Sequence, residues 1–559
     1  MKAITLLLNL YLILFSIISN AQKPNHTTLI EYDAYVNNEL VTTNNATLLV
    51  LMPKEYLKLN QQDLIAGKLK YPIEQTYVDI QNNKHYSIAQ LNKAKRIKTE
   101  YVPTKYNYDL LNDTKEILGY TCNKAVIVIN SNKYTIWYTK QLLGKGGPNT
   151  IGSDLGVVLE IDRNGTFKTI AKKINTNASF NIKEVTQLNE TTSVSKNEYD
   201  KLLWESRFTT LNIFRDELVN YNSEHKTKDN VYRYAEGTLI VKKVKFPIIP
   251  SGDQVFLNLT QQSNGDAYDR TGSVFLIPNY HEISFYDALE EGVNVLPKYM
   301  VGDEKEYQGV VATNNYTPPI ELMRFFTPFG INAYNHINFL ENDWQQKATY
   351  RQEITEFAPL LNNSEWLLGI YIGNYDKGGH KISLDLTIHP NESEPKEVKN
   401  IMSLFNTTNL LEMAGQSYPT MFSSPQGITV NFNLTEPLKN ARLRYITTGH
   451  GGWENGDEFN PKTNTIILDQ KKVTDFYPWR QDCGSYRGYN PASGNFDNGL
   501  SSSDLSRSNW CPGTVTSPLW ISLGDLQEGS HTIQVQIPMG KSQGSSFSYW
   551  NVSGVLFGE

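Results

Sequence analysis

The sequence predicts an all-β protein: two adjacent antiparallel β-sandwich or jelly-roll domains, preceded by a β-rich N-terminal domain. Three observations predict it. Short stretches of alternating apolar and polar residues recur along the chain, with the period of half-buried strands. Gly, Asn and Pro punctuate them at turn spacing. The 559 residues suffice for three or four domains of ordinary size.

Residues 1–21 read as a signal peptide. Lys2 opens it, Ile4 to Ile18 is an apolar run, and Ser19-Asn20-Ala21 supplies the small residues of a cleavage site. The run is too short to span a bilayer comfortably. The expected location is therefore secreted or periplasmic, with no membrane insertion. Residues 22–190 form a β-rich N-terminal module, with strand patterns in "ATLLVLM", "KAVIVINSNKYTIWYT" and "GVVLEID". In residues 191–235 the spacing of Leu202, Leu203, Phe208, Leu211 and Phe214 suits an amphipathic helix and predicts a helical connector. Residues 236–395 make the first jelly roll, from "GTLIVKKVKF" to "KISLDLTIHP". Its segment at about 279–319 has few strand signals and is expected beside that sandwich. The polar "HPNESEPKEVKN" marks a boundary, and residues 396–559 make the second jelly roll.

Composition removes several classes of function. A net charge of −6 argues against nucleic-acid binding, which needs a concentrated basic patch. The nine histidines show no HxH or HExxH spacing and no accompanying cysteine cluster, so neither a metal nor a cofactor is expected. A copper redox protein would need clustered His and Met ligands. No GxSxG signature marks a nucleophile. Thirty-three Tyr and nine Trp suit a carbohydrate-facing surface without proving one. Of three cysteines, Cys483 and Cys511 enclose a loop rich in Gly, Ser, Asn and Asp, and outside the cytoplasm such a pair can oxidise. Cys122, far away in the sequence, is then the odd one out; the alternative is three unrelated free thiols.

Collinear stretches carry a resemblance. "GDAYDRTGSVFLI", "MRFFTPFG" and "EWLLGIYIGNYDKGGHKISLDLTI" lie in the first half of residues 236–559. "LRYITTGHGGWENGDEFNPKTNTIILD" and "SRSNWCPG" lie in the second. Their order and spacing resemble the peptide-N-glycosidase F family, in the longer second type with an extra N-terminal domain. Separately, "ILGYTCNKAVI" and "IWYTKQLLGKGGPNT" make the N-terminal module resemble the exported GLPGLI domains, with the eponymous motif degraded to "GSDLGVVLEI".

The resemblance implies an amidase that hydrolyses the bond between asparagine and the innermost N-acetylglucosamine of N-linked glycans. Carried over residue by residue, it makes Asp269 the principal catalytic acid, Glu458 its assistant from the second sandwich, and Arg507 the arginine against Asp269. Arg270, Tyr268 and Trp510 would bind substrate. The family's disulfide positions at Gly265 and Asn460 have lost their cysteines, leaving the Cys483–Cys511 pair. A third acid of the family falls on Gly373, with Asp376 the nearest substitute. Implied partners are N-glycosylated peptides and glycoproteins and the free glycan core, acted on by a monomer. A catalytically silent carbohydrate-binding or adhesion protein is the alternative.

The chemistry explains these residue types. An amide is resonance-stabilised, so water must be aimed at its carbonyl and the departing nitrogen must receive a proton. Positioned carboxylates do this work, typically for about 10²–10⁴-fold. Asp269 and Glu458 can meet only where the two sandwiches join. Arg507 beside Asp269 is expected to favour its ionised form. Trp510 would stack on a sugar face or pack beneath the arginine, in a loop held by Cys511.

Overall fold

The computed structural model describes residues 27–41, 47–60, 71–224, 230–301, 305–334, 343–391, 398, 400–491 and 502–559. The signal segment expected at 1–21 lies outside them. The chain forms two compact units, Met1–Phe208 and Thr209–Glu559. Among the described residues no helix is long and apolar enough to cross a membrane.

The first unit is built on one large sheet. Its central strand Thr27–Val36 pairs antiparallel with Phe167–Ala178 on one side and Thr47–Leu51 on the other. Alternation sends Leu49 and Leu51 into a cluster with Ile30, Tyr32 and buried Cys122, and Val50 into another with Leu57 and Ile88. Cys122 is a free thiol.

The expected helix over 191–235 covers only Lys196–Glu205, capped by Ser195, whose side chain accepts from the Glu198 amide. Residues Thr209–Val219 are instead a strand, antiparallel to His380–His389. Thr209, Thr210 and Ile213 are β-branched and favour extended backbone, and the waiting edge of the 380–389 strand supplies hydrogen bonds that a short helix would lack. Phe208, Leu211 and Phe214 fit helical spacing by coincidence.

The second unit contains two sandwiches. In the first, a four-stranded sheet ordered Thr209–Val219, His380–His389, Gln254–Ser263, Ala348–Glu353 packs on a six-stranded one. Val255, Leu257, Leu384 and Leu386 from the former meet Ile240, Val274, Leu322 and Ile370 from the latter. The six-stranded sheet ends with Val515–Thr516, borrowed from the other half of the unit and paired with Ile320–Phe326. In the second sandwich one sheet runs Asn400–Asn406, Tyr549–Gly558, Leu438–His450, Leu519–Leu526. The other runs Ile428–Leu434, Gly529–Gln536, Asn464–Leu468, Lys471–Phe476. First and last strands lie side by side, and consecutive strands switch sheets except for the hairpin Asn464–Leu468 with Lys471–Phe476, which is jelly-roll winding.

The segment at about 279–319 does more than lie beside the first sandwich. Its helix Phe285–Glu291 packs with Leu239, Phe275 and Leu411, while Tyr307 joins the core of the second sandwich. The Gln416 side-chain amide donates to the Gln308 carbonyl at 2.9 Å, and the Tyr299 hydroxyl donates to the Gly427 carbonyl at 3.3 Å. The insertion thus braces both sandwiches and the turn that follows residue 406.

Candidate active site

Asp269 sits in the loop between strands Gln254–Ser263 and Thr271–Ile277. The loop is pinned at its end: the Arg270 amide donates to the Thr327 hydroxyl at 2.8 Å, and the Thr327 amide donates to the Arg270 carbonyl at 2.9 Å. Glu458 follows the long strand Leu438–His450. Its neighbour Asp457, fully buried, accepts from the Trp550 indole at 2.8 Å and from the Gly540 amide. The third contributor, Arg507, bridges back to Arg480 through reciprocal backbone bonds of 2.9 and 3.0 Å. The Ser508 amide donates to the Glu458 carbonyl at 2.9 Å, tying the acid loop to the arginine loop.

These three side chains converge. A single guanidinium nitrogen, Arg507 Nη1, lies 3.1 Å from Asp269 Oδ2 and donates to Glu458 Oε1. The Asp269 contact is an ion pair without hydrogen-bond geometry, so Oδ2 is buried with no hydrogen-bond partner. Arg507 Nη2 donates to the Ser502 carbonyl and hydroxyl at 2.6 and 2.9 Å. The arginine is 1% exposed, whereas the two carboxylate side chains keep 14% and 19%. The cation is thus sealed while both acids open onto a cavity of about 220 Å³ lined from both sandwiches.

Trp510 packs beneath the arginine. Its ring is 4.2 Å from the Arg507 guanidinium and stacks at 4.2 Å on Phe326, and its indole N–H donates to the Gly449 carbonyl at 3.0 Å. Cys483 and Cys511 are disulfide-bonded, closing a 28-residue separation next to this tryptophan.

The family models match in three blocks. N-glycanase N-terminal and C-terminal domains, described as peptide-N-glycosidase F, match residues 210–388 and 417–557, and an N-glycanase peptide N-terminal domain matches residues 30–205. Two solved structures of PNGF-II, in C2 and P21 crystal forms, are each 47% identical. Each covers 95% of this chain, with TM-scores of 0.87 and 0.89 and 98% and 99% of their own chains covered. The chain belongs to the peptide-N-glycosidase F family. No curated protein matches it. The N-terminal unit is accordingly the N-terminal domain of the family's second type, which is a narrower assignment than the GLPGLI likeness.

Within this peptide-N-glycosidase F fold, electrostatics around the acids depart from expectation. Burial raises the Asp269 carboxyl above the usual range, and although Arg507 and Arg270 pull the other way, burial prevails. Burial likewise pushes Glu458 up to about 7, against Arg507 and with help from the Asp269 charge. Two carboxylates sharing one guanidinium nitrogen titrate as a pair, so the site holds a proton toward neutral pH. The arginine therefore orients the acids without keeping both ionised.

The remaining expected positions divide. Arg270 lines the cavity, but its guanidinium grips Asp266 through bonds of 2.7 and 3.0 Å and lies over Tyr268 and Tyr375. Asp266 also meets His380 Nε2 at 3.2 Å. Burial would raise the Asp266 carboxyl, yet His380 and Arg270 outweigh it and hold it well below the ordinary value. Tyr268 is 48% exposed and, like Asp376, is not among the cavity-lining residues, although its ring lies beside Arg270, which is. Asp376 Oδ1 accepts from the Gly378 and Gly379 amides at 2.7 and 2.9 Å. Gly373 lines the cavity, and a Cβ there would come within 2.6 Å of the Tyr371 hydroxyl.

Sequence reasoning missed Asp266, Glu412, Asn409, Asn551 and the tyrosines around them. For Asp266 the signal was present, since it stands four residues before Arg270. His450, one of the nine histidines without metal-ligand spacing, lines the cavity as a neutral imidazole: burial, then Arg324 and Arg507, push its pKa far down. Among the described residues no group of His, Cys, Asp or Glu has the arrangement of a metal site.

Proposed function

We propose that this peptide-N-glycosidase F family member is an amidase that hydrolyses the bond between asparagine and the innermost N-acetylglucosamine of N-linked glycans. Water adds to the side-chain carbonyl carbon, the C–N bond breaks, asparagine becomes aspartate and the sugar leaves as a glycosylamine. The reading rests on one observation: Arg507 Nη1 joins an acid from each sandwich, and both acids open onto one cavity.

In this reading Asp269, partly protonated through burial, gives a proton to the departing nitrogen, and Glu458 accepts from and orients the water. Arg507 holds both in register. Preorganised charge of this kind acts without reorganising during the reaction. Arg270 and Tyr268 would contact substrate, Trp510 would act through the arginine above it, and Asp376 would shape its loop. Export by the 1–21 signal agrees with the disulfide.

The test is incubation of purified protein with a denatured N-glycoprotein in the presence of a chelator. The amidase reading expects a downward gel shift with Asn-to-Asp conversion at the glycosylated site. Retained glycan with measurable glycan binding would support the silent binding module instead.

A further inference from the structure

The cavity holds polar groups that the reaction above does not use. Asn409 is 5% exposed, yet neither its Nδ2 nor its Oδ1 has a hydrogen-bond partner, and Asn551, 3% exposed, leaves Oδ1 unpaired. Both residues line the cavity. Leaving a buried amide unpaired costs on the order of 1–3 kcal/mol per group, so such groups call for an external partner. Three residues further on, Glu412 also faces the cavity. The Tyr375 hydroxyl donates to its Oε1 at 2.5 Å and the Tyr371 hydroxyl to its Oε2 at 3.4 Å. A carboxylate offers about four acceptor positions, so two remain for hydroxyl or N–H donors.

The turn carrying Asn409 and Glu412 is packed and hydrogen-bonded in place by the protein itself. Leu410 and Leu411 are each 1% exposed, packed with Phe285 and Leu296 of the insertion. The Leu411 amide donates to Gln416 Oε1 at 3.0 Å, and Gln416 in turn donates to Gln308. Residues 409–412 also lie between the segments matched by the two catalytic family models, 210–388 and 417–557.

We infer that Asn409, Asn551 and Glu412 form a subsite that reads the acetamido and hydroxyl groups of the substrate's N-acetylglucosamine core. This rests on the amidase reading and names what its cavity recognises. An unpaired primary amide is the complement of an acetamido group: Asn409 Nδ2 donates to the acetyl carbonyl and Oδ1 accepts from the acetamido N–H. Glu412, steadied by the two tyrosine hydroxyls, accepts from sugar hydroxyls. It supplies an acid where Gly373 has none, because Tyr371 fills the space that a side chain at 373 would need.

The full chain carrying Asp269→Asn is titrated calorimetrically with N,N′-diacetylchitobiose and with its de-N-acetylated counterpart. It should bind the acetylated sugar more tightly. Adding Asn409→Leu should weaken that binding about tenfold or more while changing the de-N-acetylated sugar little. Adding Glu412→Gln should weaken both. Asn409→Asp, of the same size, should behave as Asn409→Leu does and guards against a folding defect. In the otherwise native chain Asn409→Leu should raise KM for a glycopeptide more than it lowers kcat. Equal affinity for the two sugars, or Asn409 variants that bind within twofold of the parent, would overturn the subsite. A native chain that releases no glycan from any glycopeptide would overturn the amidase reading, while the binding titration still decides the subsite.

Discussion

At the residue scale the site is a problem of shared charge. Asp269 and Glu458 each touch the same guanidinium nitrogen, and neither has room for water on all sides. Asp269→Asn should abolish detectable deglycosylation while leaving the melting temperature close to that of the native chain. Near-normal turnover by that variant would refute the assigned role. The raised Glu458 pKa sets a pH signature. If its carboxylate must be ionised to hold the water, kcat falls on the acid side of about pH 7. Stability runs the other way. The folded state binds the Glu458 proton more tightly than the unfolded chain, whose carboxyl titrates near about 4.3. That contribution is fully present below the unfolded value and is lost as pH rises through about 7. Melting temperature should therefore decline across this window, and Glu458→Gln should flatten the decline. A slope unchanged by the substitution would reject the assignment.

At the element scale the question is how the loops bearing these residues are kept still. The loop before Arg507 is rich in Gly, Ser, Asn and Asp, and near the site the chain is held by the Cys483–Cys511 bond, the Arg480–Arg507 backbone bridge and Trp510 against Phe326. Closing a loop of this length stabilises by about 3.5 kcal/mol in the chain-entropy model. The double change Cys483→Ser and Cys511→Ser should lower stability by about that amount in denaturant titration. It should also reduce kcat, because Arg507 is released along with the loop. Full activity with lowered stability would mean that the backbone bridge alone positions the arginine. Within the sheets, tight cross-strand packing sets the register. Gly369 lies opposite Phe275, whose ring would be 2.4 Å from a Cβ at that position, so the glycine is there for close approach.

At the scale of the second unit, one buried ion pair joins the sandwiches. Arg324 and Glu321, both 0% exposed, form a forked pair with bonds of 3.0 and 2.7 Å. Arg324 also donates to the Thr448 and Thr408 hydroxyls and the Asn551 carbonyl. Arg444, itself buried, donates to the Glu321 and Leu322 carbonyls. The pair sits beneath Asn551, at the foot of the cavity wall. Removing one partner of such a pair costs about 3–5 kcal/mol because the other charge is left buried. Arg324→Met should show a loss of that size in chemical denaturation. Replacing both members, Arg324→Met with Glu321→Leu, should recover much of it. A double variant as unstable as the single one would show that the hydrogen bonds to the second sandwich, rather than the charge, carry the effect.

Much was determined by the sequence alone. Strand periodicity and turn spacing specify an all-β chain because burial on one face of a pleated strand leaves an alternating record. Asp269, Glu458 and Arg507 were legible because they stand in collinear motifs, and Cys483 with Cys511 because they bracket one loop. What only the tertiary structure decided depends on partners distant in the chain. The apolar spacing at 208–214 is compatible with a helix until the 380–389 strand offers its edge. Which aspartate of "GDAYDR" takes Arg270 is settled by burial beside His380. That arginine fails to keep the acids ionised follows from desolvation, which no spacing encodes. Asn409 and Asn551 look like any asparagines in an asparagine-rich chain; they acquire meaning only when packing strips them of water and of partners.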